Sequence, residues 1–347
     1  MYYSVNTSYK KHMNYKKLFE YRTHLMGIAI LWVVFFHMQI AIPIRRLEFI
    51  KEIGYGGVDI FFLLSGIGVY FSLKKYSIEE FYMRRLKRIM PAYIPIVLIV
   101  FLLYNIHHFA GFSLGQILNW IKQLTGNVFM VGWINDVEGQ FNWYVQAIMW
   151  FYLLAPILVA IVRKSKKIKW ITMVLWSVLL MTQVPFMGTF TLMISVRILI
   201  YVLGIYIAFR YDTGNVMGMK TALLCGFMII GLGILCFAYY YRTDWLFDYG
   251  LHWFPFVPIV PGLCVLLVKS FSFLDKNRYT GYINKGIKCI GEASFEIYLV
   301  HITMFDFILK PFGVVDSGIW IWVAIMSVVV GMCYKKIIFK VTKYLKA

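Results

Sequence analysis

The chain is 347 residues long, 61% hydrophobic and 19% aromatic, with a mean hydropathy of +0.71 and a formal charge of +19. A water-soluble domain of this length is excluded, because one bilayer crossing takes ~20 apolar residues and the apolar runs leave little chain for anything else. The fold class expected is an all-α polytopic membrane protein, a bundle of about ten transmembrane helices. The crossings fall near 25–44, 56–73, 91–110, 143–163, 168–185, 192–210, 220–241, 250–268, 289–310 and 318–339.

The positive charge is a topology signal rather than a nucleic-acid footprint. With the amino terminus on the cytoplasmic side, 28 of the 35 Lys and Arg residues lie in inner gaps, six in outer gaps and Arg197 within a span. This alternation obeys the positive-inside rule and puts both termini in the cytoplasm. Some of the inner basic residues are also placed to hold anionic headgroups. The bilayer is therefore an expected partner and nucleic acid is not. The division expected is a basic cytoplasmic segment (1–24), a membrane domain (25–339) and a cytoplasmic tail (340–347).

The first 24 residues are polar, basic and tyrosine-rich, with no short apolar region and cleavage site, so no cleaved signal peptide is expected. The first span then carries His37 in the apolar run LMGIAILWVVFFHMQIAIPI. At 1.5 Å per residue from Leu25 the ring sits roughly 18 Å from the inner end, past the bilayer midpoint. The second span opens with GGVDIFFLLSG and puts Asp59 about one turn below the outer surface. Ionisable groups at such depths are costly and mark function by default. A carboxylate beside an imidazole would raise its pKa and fix its tautomer for general-base work. A structural reading stands beside this one, with His37 bonded to a backbone carbonyl and Asp59 capping its own helix.

Before the third span, FYMRRLKRIMP holds Arg84, Arg85, Lys87 and Arg88. Arg85 and Arg88 are three apart and share a helix face, and arginine pairs bind phosphate through their planar forks. Topology alone also piles basic residues at inner helix ends. The long gap from Gly111 to Asn142 carries apolar and aromatic residues that suit a re-entrant or interfacial element. Trp143 and Tyr144 open the fourth span, where they suit either an outer aromatic belt or stacking on a sugar. Arg197 lies inside the sixth span and is either paired in a polar cavity or snorkelling to the outer interface. In the ninth span, Ser294, Tyr298 and His301 are spaced four and three apart, on one face. Ser294 suits a helix-to-helix hydrogen bond, and His301 a substrate path. The five cysteines all fall in apolar spans without a CxxC pair, so neither a disulfide framework nor a metal site is expected.

Several of these segments, in this order, resemble the membrane acyltransferase-3 family, multi-spanning O-acyltransferases that modify surface sugars. The matching pieces are GIAILWVVFFH, GGVDIFFLLSG, RRLKRIMPAY, NWYVQAIMWFYLLAP, RILIYVLGI and SFEIYLVHI, which run from the first span to the ninth. The form expected is the stand-alone one, without the extracytoplasmic esterase-like domain that other family members carry. The resemblance implies a bacterial inner (plasma) membrane enzyme without a permanently bound cofactor. Acyl-CoA, usually acetyl-CoA, would serve as cytoplasmic co-substrate, and a hydroxyl of a surface or lipid-linked glycan as acceptor. It also implies that His37 and Asp59 are catalytic and that Arg85 with Arg88 forms the family's cytoplasmic RxxR motif. Ser65 matches the segment around Asp59. The family's basic residue eleven positions before the histidine is Met26 here, and Arg22, one turn earlier on roughly the same face, is the candidate substitute.

The expected mechanism keeps the CoA phosphates near Arg22, Arg85 and Arg88 while the thin pantetheine arm threads inward. His37 takes the acceptor's proton or accepts the acyl group transiently. Asp59 orients the imidazole, and Arg197 or a backbone donor stabilises the oxyanion. Trp143, Tyr298 and His301 line the substrate path. Two alternatives come from other classes: a transporter or flippase for a lipid-linked glycan, and an inactive membrane scaffold. Paired broken spans in two halves, common in transporters, are not evident in this sequence.

Overall fold

The structure is a computed structural model that describes residues 15–105, 113–132, 142–164, 176, 189–214, 221–241, 247, 250–310, 313 and 316–344. Among these residues every regular element is helical. In chain order they are α1 (Tyr15–Glu20), α2 (Arg22–His37), α3 (Arg45–Glu52), α4 (Gly56–Lys75), α5 (Ile78–Asn105), α6 (Leu114–Val128) and α7 (Trp143–Arg163). Then come α8 (Thr189–Asp212), α9 (Thr221–Tyr241), a 3-10 turn (Leu251–Trp253), α10 (Phe256–Leu274), α11 (Arg278–Glu292) and α12 (Ser294–Ile302). A π-helical stretch (Thr303–Leu309) and α13 (Ser317–Tyr344) complete the chain. Seven helical stretches among the described residues are long and apolar enough to cross a membrane: α4, α5, α7, α8, α9, the stretch ending in α10, and α13. The expected crossing at 168–185 lies outside the described residues.

Three expected spans take a different form. The first is a 16-residue helix that stops at His37, about 24 Å long, rather than a crossing that runs on to Ile44. Pro43 cannot continue a helix. The following loop is instead tied down by Lys51 donating to the Ile40 carbonyl and by Ile42 N–H donating to Glu48 at 3.1 Å. The ninth span is broken: α11 ends at Glu292, the chain turns at Ala293 (φ −104°, ψ 10°), and α12 passes into the π-helical stretch. The third is longer than expected, because α5 begins at Ile78 and carries the arginine cluster on the same 28-residue helix. The long gap holds α6, capped by the Ser113 hydroxyl accepting from Gln116 N–H, with Leu114, Leu118 and Ile121 exposed along it.

The chain divides into two compact units. The first comprises Met1–Ala29, Gly56–Tyr76 and Leu154–Lys288. Its centre is the pair α4 and α8, where a Cβ on Gly66 would collide with the Tyr201 carbonyl and one on Gly204 with the Leu63 carbonyl. Only glycine permits such backbone approach. Contacts advance together along both helices, from Asp59 against Arg197 to Tyr70 and Lys74 against Asp212, so the two run in the same direction. The alternating topology expects this of the second and sixth crossings. At the end where the helices meet Asp212, the Arg163 guanidinium lies 5.0 Å over the Tyr70 ring.

Outside the spans of this unit, Tyr21 donates to Asp275 at 2.6 Å and Asn284 donates to the same carboxylate at 2.8 Å. Those two bonds hold the Asp275 carboxyl below its usual range. Burial, with the neighbouring carboxylate, pushes the Tyr21 hydroxyl up to about 12.

The second unit comprises Ile30–Tyr55, Ser77–Leu153 and Cys289–Ala347. Side chains hydrogen-bonded to distant backbone stitch it together. Tyr334 donates to the Ala92 carbonyl at 2.8 Å, Tyr93 to the Asn127 carbonyl at 3.0 Å and Trp150 to the Met130 carbonyl at 3.0 Å. The Ala92 bond falls where Pro91 and Pro95 leave α5 without two backbone donors.

Replacing Gly204 by Ala should destabilise the protein by about 1–3 kcal/mol, the usual cost of overpacking. Gly226→Ala, whose added methyl meets open space, should stay within about 0.5 kcal/mol of the parent. Unfolding of both variants in detergent checks the contrast.

Candidate functional site

In the second unit the last residue of α2 presents its imidazole in a defined form. His37 Nδ1 is 2.9 Å from the Val33 carbonyl, an acceptor only, so Nδ1 carries the proton and Nε2 the lone pair. The task expected of Asp59 at this nitrogen, fixing the tautomer, is performed by the backbone one turn back on the same helix. His301 on α12 repeats the arrangement, with Nδ1 donating to the Ile297 carbonyl at 3.1 Å. Its ring is fully buried, and among the described residues its Nε2 has no hydrogen-bond partner.

The two imidazoles lie edge to face, centroids 5.1 Å apart at 68°. Tyr298 stands 5.3 Å from His301, and Tyr144 stands 5.1 Å from Tyr298. Phe36 and Phe305 pack against the two histidines. The expected stripe of Ser294, Tyr298 and His301 is buried throughout, and two of its members join His37 in one aromatic-walled cluster. Trp143 is 6.5 Å from Tyr144. Tyr144 itself is 8% exposed, which suits a core position rather than the aromatic belt.

Beside Trp143, the sequence reading passed over Asn142 and Gln146. Both are buried, and among the described residues neither amide atom of the Asn142 side chain has a hydrogen-bond partner. Their spacing of four within an apolar run was the available signal. Buried amides able to donate and accept suit recognition of hydroxyl groups.

The arginine cluster on α5 separates into two parts. The Arg85 guanidinium is held between the Phe81 and Tyr152 rings, at 5.2 and 4.9 Å. Arg84, Lys87 and Arg88 are exposed and line, with Glu80 and Met83, a cavity of about 520 Å³. Of the expected pair, Arg88 reaches open space and Arg85 is clamped, while Arg84 and Lys87 are additions.

In the first unit Asp59 and Arg197 form an ion pair, Oδ1 to Nε at 3.4 Å, with both residues 2% exposed. Arg197 also donates through Nη1 to the Met193 carbonyl at 2.8 Å, and its guanidinium lies 5.1 Å over Trp253. Snorkelling is thereby ruled out in favour of burial. Asp59 Oδ2 is buried with no hydrogen-bond partner among the described residues. Ser65, half-buried on α4, lies six residues from Asp59 and on another face. Arg22, at the start of α2, lies where a side chain on Gly68 would stand, its Nη2 3.3 Å from that position. Among the described residues no group of three or more His, Cys, Asp or Glu side chains is arranged to hold a metal ion.

A family model described as an acyltransferase domain matches residues 24–337. Two curated relatives, "Putative O-acetyltransferase SACOL0978" of Staphylococcus aureus strain COL and "Putative O-acetyltransferase SAS0844" of strain MSSA476, are 21% and 22% identical. Each alignment covers 91% of this chain and 55% of the relative, so the chain spans about half the length of the curated relatives it matches. No solved structure matches it.

Removing one partner of the buried pair leaves the other charge uncompensated. Arg197→Met should therefore destabilise the protein by about 3–5 kcal/mol. Adding Asp59→Asn to that variant should restore part of the loss, read as a positive coupling in a double-mutant cycle of detergent unfolding.

Proposed function

The chain belongs to the acyltransferase-3 family, and from that premise we propose that it is an integral membrane O-acyltransferase. The reaction moves an acyl group, acetyl in the first instance, from acyl-CoA on the cytoplasmic side to a hydroxyl of a surface or lipid-linked glycan. The proposed setting is a bacterial plasma membrane, crossed about ten times with both termini inside. Acyl-CoA is a co-substrate and no resident cofactor is needed.

The observation that carries this reading is the form of His37: Nδ1–H fixed on the Val33 carbonyl and Nε2 basic, beside a second imidazole. A general base needs a lone pair of defined direction. His37 Nε2 takes the proton of the acceptor hydroxyl as its oxygen attacks the thioester carbonyl. The tetrahedral intermediate then expels the CoA sulfur by breaking the C–S bond. The imidazolium returns its proton to the thiolate, so the histidine ends as it began. His301 and Tyr298 wall the path, and the Asn142 and Gln146 amides are donors and acceptors for the sugar hydroxyls.

The CoA phosphates are assigned to Arg84, Lys87 and Arg88, with Arg85 holding their helix in place. Charge-assisted hydrogen bonds to phosphate are the strong ones, and an exposed cavity lets the nucleotide stay in water. Asp59 and Arg197 are read as positioning residues that fix α4 against α8, with Ser65 on the same helix.

His37→Ala should leave the protein in the membrane and abolish acyl transfer from acetyl-CoA, measured with purified protein and by the acetyl content of the cell's surface glycans. Normal acylation in cells carrying only that variant would overturn the assignment. Neutralising Arg84, Lys87 and Arg88 together as Gln should raise KM for acyl-CoA by at least tenfold, roughly one lost charge-assisted bond, and alter kcat less. An unchanged KM would leave the cluster with topology as its only role.

A further inference from the structure

The cytoplasmic end assigned to α13 holds a second basic feature, lined by residues other than those of the α5 cluster. α12 and α13 touch at Gly331, where a Cβ would lie 2.6 Å from the Ile297 Cα. The chain turns away at Ala293 just before α12 begins. Between Cys289–Ala293 and the last three turns of α13 opens a groove of about 750 Å³.

Lys335, Lys336, Lys340 and Lys343 all reach this groove, together with Met332 and Phe339. Lys335 is answered by Glu292 at 3.4 Å. Among the described residues, no ion pair engages Lys336, Lys340 or Lys343. These three are spaced four and three apart, so their charges converge on one helix face. Directly along that face toward the chain's apolar middle lie the exposed residues Trp322, Met326, Val329 and Cys333, again at steps of four, three and four. A continuous stripe thus passes from exposed hydrocarbon into three unanswered ammonium groups.

We infer that this groove is a binding site for an anionic phospholipid, with its phosphate among Lys336, Lys340 and Lys343 and an acyl tail along Trp322, Met326 and Val329. The chemistry distinguishes the occupant from a soluble phosphate compound, because the apolar stripe has no use for one. A zwitterionic lipid would bring its own cation against the lysines. Basic pockets at the cytoplasmic ends of membrane helices bind anionic headgroups in this way.

The test uses the full chain, purified and delipidated in a neutral detergent. Phosphatidylglycerol and phosphatidylcholine with the same tails are titrated in turn, and bound lipid is counted by native mass spectrometry. Phosphatidylglycerol should bind preferentially. The triple variant Lys336→Gln, Lys340→Gln, Lys343→Gln should weaken it on the order of a hundredfold, at about 1 kcal/mol per basic residue. A control variant, Lys276→Gln with Lys285→Gln, lies outside the groove and should bind as the parent does. If the triple variant does not fold, Lys340→Gln alone should still show about a fivefold loss. Equal binding of the two lipids, or unchanged phosphatidylglycerol binding in the lysine variants, would overturn the inference. Displacement of the lipid one for one by coenzyme A would also overturn it, by making the groove a nucleotide site.

Discussion

Charge in a hydrocarbon setting persists only where something answers it, and at Arg197 three different groups do so. Its guanidinium faces the Asp59 carboxylate, the Met193 carbonyl and the Trp253 ring. Each removes part of the cost of taking an ion out of water. The arrangement requires α4 and α8 to hold their register, since a slip of one turn, 5.4 Å, would strand both charges. Gly66 and Gly204 enforce that register by letting the two backbones touch. The charged pair and the glycines are therefore one device: close approach makes the pairing possible, and the pairing forbids sliding.

The imidazoles obey the same constraint by a less costly route. A neutral ring needs only one donor satisfied, and His37 and His301 each use the carbonyl four residues earlier on their own helix. That solution is local and needs no second ion. It also fixes which ring nitrogen carries the proton and which the lone pair. The aromatic edges around the pair, from Phe36, Tyr298 and Phe305, keep the rings from turning.

Much of this was legible in the amino-acid order. Long apolar runs located α4 and α7 almost to the residue, because hydrocarbon thickness leaves a helix little freedom in length. The shared face of Tyr298 and His301 follows from helical periodicity. What the sequence could not show depends on contacts between distant segments. Nothing near Arg197 names Asp59 as its partner, and nothing near Arg85 names Tyr152. The end of α2 was misplaced because the residues after His37 are as apolar as those before it, and composition alone does not record where hydrogen bonding stops. The break at Ala293 was missed for a related reason: alanine is an excellent helix former, and only tertiary packing overrides it there.

The early end of α2 bears on the surroundings of its last residue. A helix that stops at His37 leaves its final carbonyls without partners inside the helix. Bare hydrocarbon cannot satisfy such groups. The tip of α2 is therefore a place where polar company is required, and the imidazole stands at that tip.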